Sequence, residues 1–188
     1  MSSIKLKHSG GNSVIIAAPS SNPASDRTIT LPATADGTLL TTTNPKSGNI
    51  LQVIQKETTS SATTTSGNIQ DYTGLTQAIT LSDSSNKVLV QLNAQWQAYG
   101  NDDRRIAITL HDAAITNSNY IAQGEYGDYK SGGSNSYSFG VGTFTVLHTP
   151  GASSVTYRIG YRSLDGSSVG LQGASYARSY ITLMEVAA

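Results

Sequence analysis

The chain has no cysteine, few charges and almost no helix signal, and each shortage removes a class of explanation. Without cysteine there is neither a disulfide framework nor a thiolate metal site, so packing alone must hold the fold. Lys plus Arg and Asp plus Glu stand at 12 each, and charged residues make up only 13% of the 188. Such a neutral chain exerts little pull on nucleic acid or on an anionic membrane, and neither is an expected partner. No stretch approaches the roughly 20 apolar residues of a membrane helix. The opening "MSSIKLKHSGG" also lacks the apolar run of a signal peptide, so the expectation is a soluble protein made in the cytoplasm. The length suits one ordinary domain with a short appendage.

What is present is period-two patterning. "KVLVQLNAQWQAY" puts Val88, Val90, Leu92, Ala94, Trp96 and Ala98 on one side and Gln91, Asn93, Gln95 and Gln97 on the other. A strand alternates its side chains between two faces, so this reads as half-buried β. "RRIAITLHD" sets Ile106, Ile108 and Leu110 against Arg105, Thr109 and His111, and "SVTYRIGYR" sets Val155, Tyr157, Ile159 and Tyr161 against Thr156, Arg158 and Arg162. Further strands are expected at 49–58, 75–81, 120–123, 136–148 and the terminal "SYITLMEV". Gly, Ser, Asn and Asp clusters separate them, which predicts an all-β antiparallel sandwich or jelly roll.

Two of these strands are odd. In 136–148, Phe139 and Val141 fall out of phase with Phe144 and Val146, which predicts a bulge near Gly140 or Gly142. In the terminal strand, Tyr180, Thr182, Met184 and Val186 share one face and Ile181 and Leu183 the other, so neither face is plainly meant for water. Either it is a central strand covered on both sides within one domain, or its second face meets another molecule.

Residues 1–44 read differently. "IKLKH", "SVIIAAP", "RTITLP" and "TLLTTT" are tiny strands between polar turns, unable to bury much surface unaided. "NPKSGN" marks the boundary with a domain at 45–188.

Catalytic motifs are missing. His8, His111 and His148 have no metal-ligand spacing, and each is expected on a strand surface. His111 and Asp112 have serines nearby, but no GxSxG elbow accompanies them. The GxG of "FGVGTF" lies in a strand pattern, not ahead of a helix. The expectation is a non-enzymatic protein with no cofactor or structural metal. Asp102 and Asp103 have the oxygen chemistry for Ca²⁺, but Arg104 and Arg105 stand beside them, and a solvated hairpin turn is the plainer reading. Ten tyrosines against two phenylalanines is lopsided, and Tyr126, Tyr129 and Tyr137 sit among Gly, Ser and Asn. That mixture suits ligand-contact loops, although packing along the sandwich explains any single tyrosine as well.

The opening "IKLKHSGGNSVIIAAPSSNPASDRTITLPATADGTLLTTT" resembles a leader of virion proteins and tail fibres of marine bacteriophages, notably cyanophages. The segments "GNILQVIQ", "SSNKVLVQLNAQ", "FTVLHTPGASSVTYRIGYRS" and "SYITLMEVAA" resemble the globular domain that accompanies it. That domain is similar in strand pattern to the trimeric jelly rolls of the tumour-necrosis-factor and C1q type, whose C-terminal strand sits near the threefold axis. The resemblance implies a homotrimer with Tyr180, Thr182, Met184 and Val186 at its interface. It also implies that residues 1–44 attach to other tail or capsid proteins, and that the head meets a host cell-surface glycan or protein. The implied role is a tail-fibre or receptor-binding component on the exterior of the virion. A capsid-decorating or tail-joining protein with no host ligand is the alternative.

Overall fold

The computed structural model describes residues 3–7, 9–17, 20–21, 45–100, 103–128, 136–172 and 177–188. The chain divides into two compact units, Met1–Leu39 and Leu40–Ala188. In the first, β1 (Ser3–Lys7) and β2 (Ser13–Ala17) form an antiparallel hairpin with Ile4 opposite Ile16 and Lys5 opposite Ile15. Ile4, Leu6, Ile15 and Ile16 are all more than half exposed. A two-stranded ribbon has too little surface to bury them by itself. The expected pieces "RTITLP" and "TLLTTT" lie outside the described residues, as does His8.

The second unit contains β3 (Ile50–Thr58), β4 (Ala62–Thr64), β5 (Gln70–Asp71), β6 (Gln77–Thr80), β7 (Lys87–Gly100), β8 (Arg104–His111), β9 (Ala122–Asp128), β10 (Ser136–His148), β11 (Ser154–Ser163), β12 (Ser168–Leu171) and β13 (Ser179–Val186). All pairings are antiparallel. One sheet runs β3–β13–β7–β10, with β12 and β4 continuing beyond β13 along the same side of β7. The other runs β6–β11–β8–β9, with β5 also on β11. Numbering β3, β6, β7, β8, β9, β10, β11 and β13 from one to eight gives sheet orders 1-8-3-6 and 2-7-4-5, which is the jelly roll.

The core lies between the sheets. Val88, Val90, Leu92, Ala94, Trp96 and Ala98 face inward from β7, as its alternation predicts, and meet Ile106, Ile108 and Leu110 of β8 and Tyr157, Ile159 and Tyr161 of β11. Ile181 and Leu183 of β13 are fully buried among them. Each such side chain contributes about 1.5–3 kcal/mol through removal from water. β12 and β13 share one side of β7 and leave a break at Gln95, which two side-by-side groups seal. The Gln95 N–H donates to Ser179 Oγ at 2.9 Å, and its carbonyl accepts from the Gln172 N–H at 2.8 Å.

Three expectations are corrected. β10 has no bulge, because its register against β7 runs unbroken from Ser136 opposite Gly100 to His148 opposite Val88. Phe139 and Val141 point outward, while Gly140 and Gly142 face in beneath larger neighbours. A Cβ on Gly140 would lie 2.7 Å from Trp96 Cζ2, and one on Gly142 2.7 Å from Ile108 Cδ1. Gly140→Ala is therefore expected to cost roughly 1–3 kcal/mol by overpacking against a rigid indole. A melting temperature within a degree of wild type would contradict that packing.

The second correction concerns β8, which is buried on both faces: Ala107, Thr109 and His111 are as inaccessible as Ile106, Ile108 and Leu110. His111 is thus an interior group rather than a surface one. Ile69 closes over this side of the sheet, where Gly160 leaves the room; a Cβ there would meet Ile69 Cγ2 at 2.4 Å and Thr109 Oγ1 at 2.5 Å. Thirdly, Tyr126 lies in β9, not in a loop, while Tyr137 lies in the strand expected at 136–148. The strand expected at 120–123 begins at Ala122 and continues through "GEYGD".

Candidate functional site

The register of the β3–β13–β7–β10 sheet fixes what stands on its outer face. Val53, Met184, Leu89 and Leu147 form one row across all four strands. Gln55, Thr182, Gln91 and Thr145 form the next, followed by Glu57, Tyr180, Asn93 and Thr143. Further along β7 and β10, Gln95 faces Val141, Gln97 faces Phe139 and Tyr99 faces Tyr137. The face therefore has an apolar row, an amide and hydroxyl band, and an aromatic strip. Lys87 at one end and Glu57 on the outer strand are the charges at outward positions, and Glu57 is paired with Arg178.

The apolar members are open to solvent. Val53 is 59% exposed, Leu147 53%, Phe139 64% and Tyr137 58%. Tyr137 is flanked by Tyr99, with ring centroids 4.5 Å apart, and by Phe139, stacked at 5.6 Å. Contiguous apolar surface rimmed by polar groups is the usual mark of an interaction site. Depletion of charge with enrichment in aromatics and Met is the composition of an interface centre.

Of the sequence-predicted residues, Tyr180, Thr182, Met184 and Val186 all stand on this face, half-buried, opposite the inward Ile181 and Leu183. Tyr137 joins them through the aromatic strip. Tyr126 does not: its ring stacks on Trp96, its hydroxyl donates to the Thr143 carbonyl at 3.0 Å, and burial raises its pKa. Tyr129 lies outside the described residues. Sequence reasoning missed Val53, Leu89, Leu147, Tyr99 and Phe139. The apparent phase slip at Phe139 and Val141 was the signal for part of that set: apolar residues out of phase with the core belong to the other face.

Two side chains, Ser179 and Glu185, break the inward apolar pattern of β13. Glu185 is 1% exposed. Its carboxylate accepts from the Ser82 N–H and Oγ at 2.7 Å each, from Asn86 Nδ2 at 2.6 Å and from Gln52 Nε2 at 2.6 Å. Burial opposes its ionisation, but these donors together outweigh that, and the carboxyl titrates below its ordinary value. The Asn86 side-chain Oδ1 in turn accepts from the Ala188 N–H at 3.0 Å. The carboxylate thus ties β13 to the segment before β7 and to β3.

The histidines have structural partners. His111 Nε2 is 2.9 Å from Thr109 Oγ1, and Nδ1 is 2.9 Å from Asn119 Oδ1. Asn119 Nδ2 is engaged on the Ala114 carbonyl, so Oδ1 is the acceptor, Nδ1 carries the proton, and Nε2 accepts from the threonine. The order hydroxyl, imidazole, amide is that of a nucleophile relay, but Thr109 and His111 are fully buried, beyond reach of a substrate. Desolvation lowers the His111 pKa and keeps the ring neutral. Asp112 meets not His111 but His148, at 3.4 Å, whose Nδ1 is 2.9 Å from the buried Tyr157 hydroxyl.

No group of three or more His, Asp or Glu suited to a cation occurs among the described residues. Asp102 lies outside them. Arg104 is buried and turns from Asp103 toward β10 and β9, reaching the Ser136 carbonyl at 2.5 Å and Asp128 at 3.7 Å.

No family model and no curated protein matches the chain. Among solved structures it is similar to the Eiger tumour necrosis factor of S. frugiperda, at 12% identity and TM-score 0.29, over 64% of this chain and 90% of that one. It is also similar to a chain of infectious bursal disease virus, Gt strain, at 11% identity and TM-score 0.35, over 95% of this chain and 48% of that one. The chain thus spans about half the length of the viral protein.

Proposed function

We propose that this chain is a non-enzymatic structural protein of a marine bacteriophage virion, most fittingly a tail-fibre or receptor-binding component on the particle exterior. Residues 1–44 attach it to other virion proteins, and the jelly-roll head assembles as a homotrimer. The observation that carries the assembly is the outer face of β13 and its neighbours, uncharged at its centre and half apolar. The resemblance of the opening segment to phage leaders supports the setting. The exposed apolar side chains of the β1–β2 hairpin support attachment, since such a ribbon gains stability by packing on a partner. No helix of the described residues is long and apolar enough to cross a membrane.

The test is binding of purified, fluorescently labelled protein to cyanobacterial host cells, with the mass of the same preparation measured by light scattering. Saturable binding by a trimer is the expected result. A trimer that binds none of a broad panel of hosts would move the assignment to capsid decoration or tail joining. A monomer would overturn the assembly.

A further inference from the structure

We propose that the amide band on the outer face is the layer through which copies of this chain recognise one another, and that it fixes how many assemble. The proposal rests on the reading that this face joins copies, and it identifies the part of the face that gives the contact its specificity.

The band lies between two adhesive zones, the Val53–Met184–Leu89–Leu147 row on one side and the aromatic strip on the other. It forms a shallow depression of about 300 Å³, lined by Gln55, Gln91, Asn93, Thr145, Tyr180 and Thr182. Gln55 Nε2 donates to Thr182 Oγ1 at 3.0 Å. The side-chain amides of Gln91 and Asn93 make no hydrogen bond within the described residues, although both stand at the middle of the sheet on its central strand. A primary amide is donor and acceptor at once. Three copies of one amide therefore close a ring around a threefold axis, each donating to one neighbour and accepting from the other, as lysines or glutamates cannot.

This self-complementarity selects the occupant. A strongly acidic or basic partner finds nothing to answer its charge here, whereas a second copy brings matching apolar rows and matching amides. The apolar zones hold copies together without fixing their register, since aliphatic surfaces slide past one another. A slip sets Gln91 and Asn93 against Leu89 or Met184, where an unpaired amide is costly. One polar layer inside an apolar seam is the device by which coiled coils fix register and copy number at some expense of stability.

Two variants test this. Gln91→Glu places a carboxylate where copies meet while leaving an exposed position of the fold undisturbed. Its dissociation constant is expected to be weakened at least tenfold at pH 8, and to return toward wild type near pH 4, with wild type measured at each pH. Gln91→Leu with Asn93→Leu removes both unengaged amides of the band, and native mass spectrometry is expected to show more than one copy number. A wild-type assembly that Gln91→Glu leaves equally tight at pH 8 overturns the band as a contact. A double variant of one mass, equal to wild type, overturns its role in setting number. A wild-type monomer fails earlier, at the reading beneath. If that monomer also binds maltoheptaose in a way Gln91→Glu abolishes, the band belongs to a glycan.

Discussion

Replacing Glu185 with alanine is expected to destabilise the head by about 2–4 kcal/mol, because it leaves the buried Asn86 amide unmet at roughly 1–3 kcal/mol and removes charge-assisted bonds to the more exposed Ser82 and Gln52. Chemical denaturation at pH 7 measures it, and a loss below about 1 kcal/mol would show that the carboxylate is not the tie between β13, β3 and the 82–86 turn. Glu185→Gln separates charge from shape. It keeps the size but turns an amide N–H toward existing donors, at a cost of roughly 1–3 kcal/mol. The pH dependence follows from the depressed folded pKa. The stabilisation is complete above the unfolded carboxyl value of about 4.3 and is lost as pH falls through the lower folded value. Wild type should therefore lose stability on acidification below about pH 4.3, while the glutamine variant loses correspondingly less. Parallel acid curves for the two proteins would refute the assignment.

For the proposed homotrimer, Met184→Lys is expected to yield a folded monomer at concentrations where the wild-type assembly forms. Met184 stands in the centre of the apolar row, between Val53 and Leu89, with its side chain directed away from the core. The fold should lose no more than about 1 kcal/mol, as is usual for an outward position. The assembly, by contrast, would have to desolvate one ammonium per chain in an apolar seam and set like charges near each other. We expect association to weaken at least a hundredfold, or about 3 kcal/mol. Leu147→Lys, at one end of the same row, should act likewise. Light scattering together with far-UV circular dichroism reads both effects, and a well-folded variant that stays trimeric would remove Met184 from the interface.

Much of this architecture is legible in the residues because period two is a strong signal where one face is dry and the other wet. β7 obeys it over its whole length, with Val88 through Ala98 inward and Gln91 through Gln97 outward. β13 obeys it as well, and its two-sidedness is visible because Ile181 and Leu183 oppose Tyr180, Thr182 and Met184. The rule misleads where hydrophobicity stops reporting direction. In β10 the inward positions are partly glycine, because Trp96, Ile108 and Tyr126 fill the space above them, so Phe139 and Val141 on the outer face look like displaced core residues. In β8 the Thr109 and His111 face is buried by Ile69 and by segments distant in sequence, which no local pattern encodes. β4, β5 and β12, with the sequences ATT, QD and SVGL, are too short for a period-two pattern to show, and only their long-range pairing makes them strands. Glu185 is the plainest case: a lone carboxylate in an apolar strand reads as an exit toward solvent, and the donors that hold it inside come from Gln52 and from the 82–86 turn.

The position of β13 between β3 and β7 also governs how the protein is made. Gln52 and Glu185 touch across 133 residues of chain. While β13 is still inside the ribosome, β3 has no partner in its sheet and β7 has an open flank, so neither Ile181 nor Leu183 can yet close the core. The head is completed late, by insertion of a central strand rather than by addition of an outer one, and such distant pairing is intrinsically slow. A nascent chain cut short before Ser179 would lack the keystone of the sheet and one of the four strands of the face proposed to meet its copies. The proposed assembly through that face would thus admit finished heads and refuse truncated ones, a form of proofreading that requires no other factor.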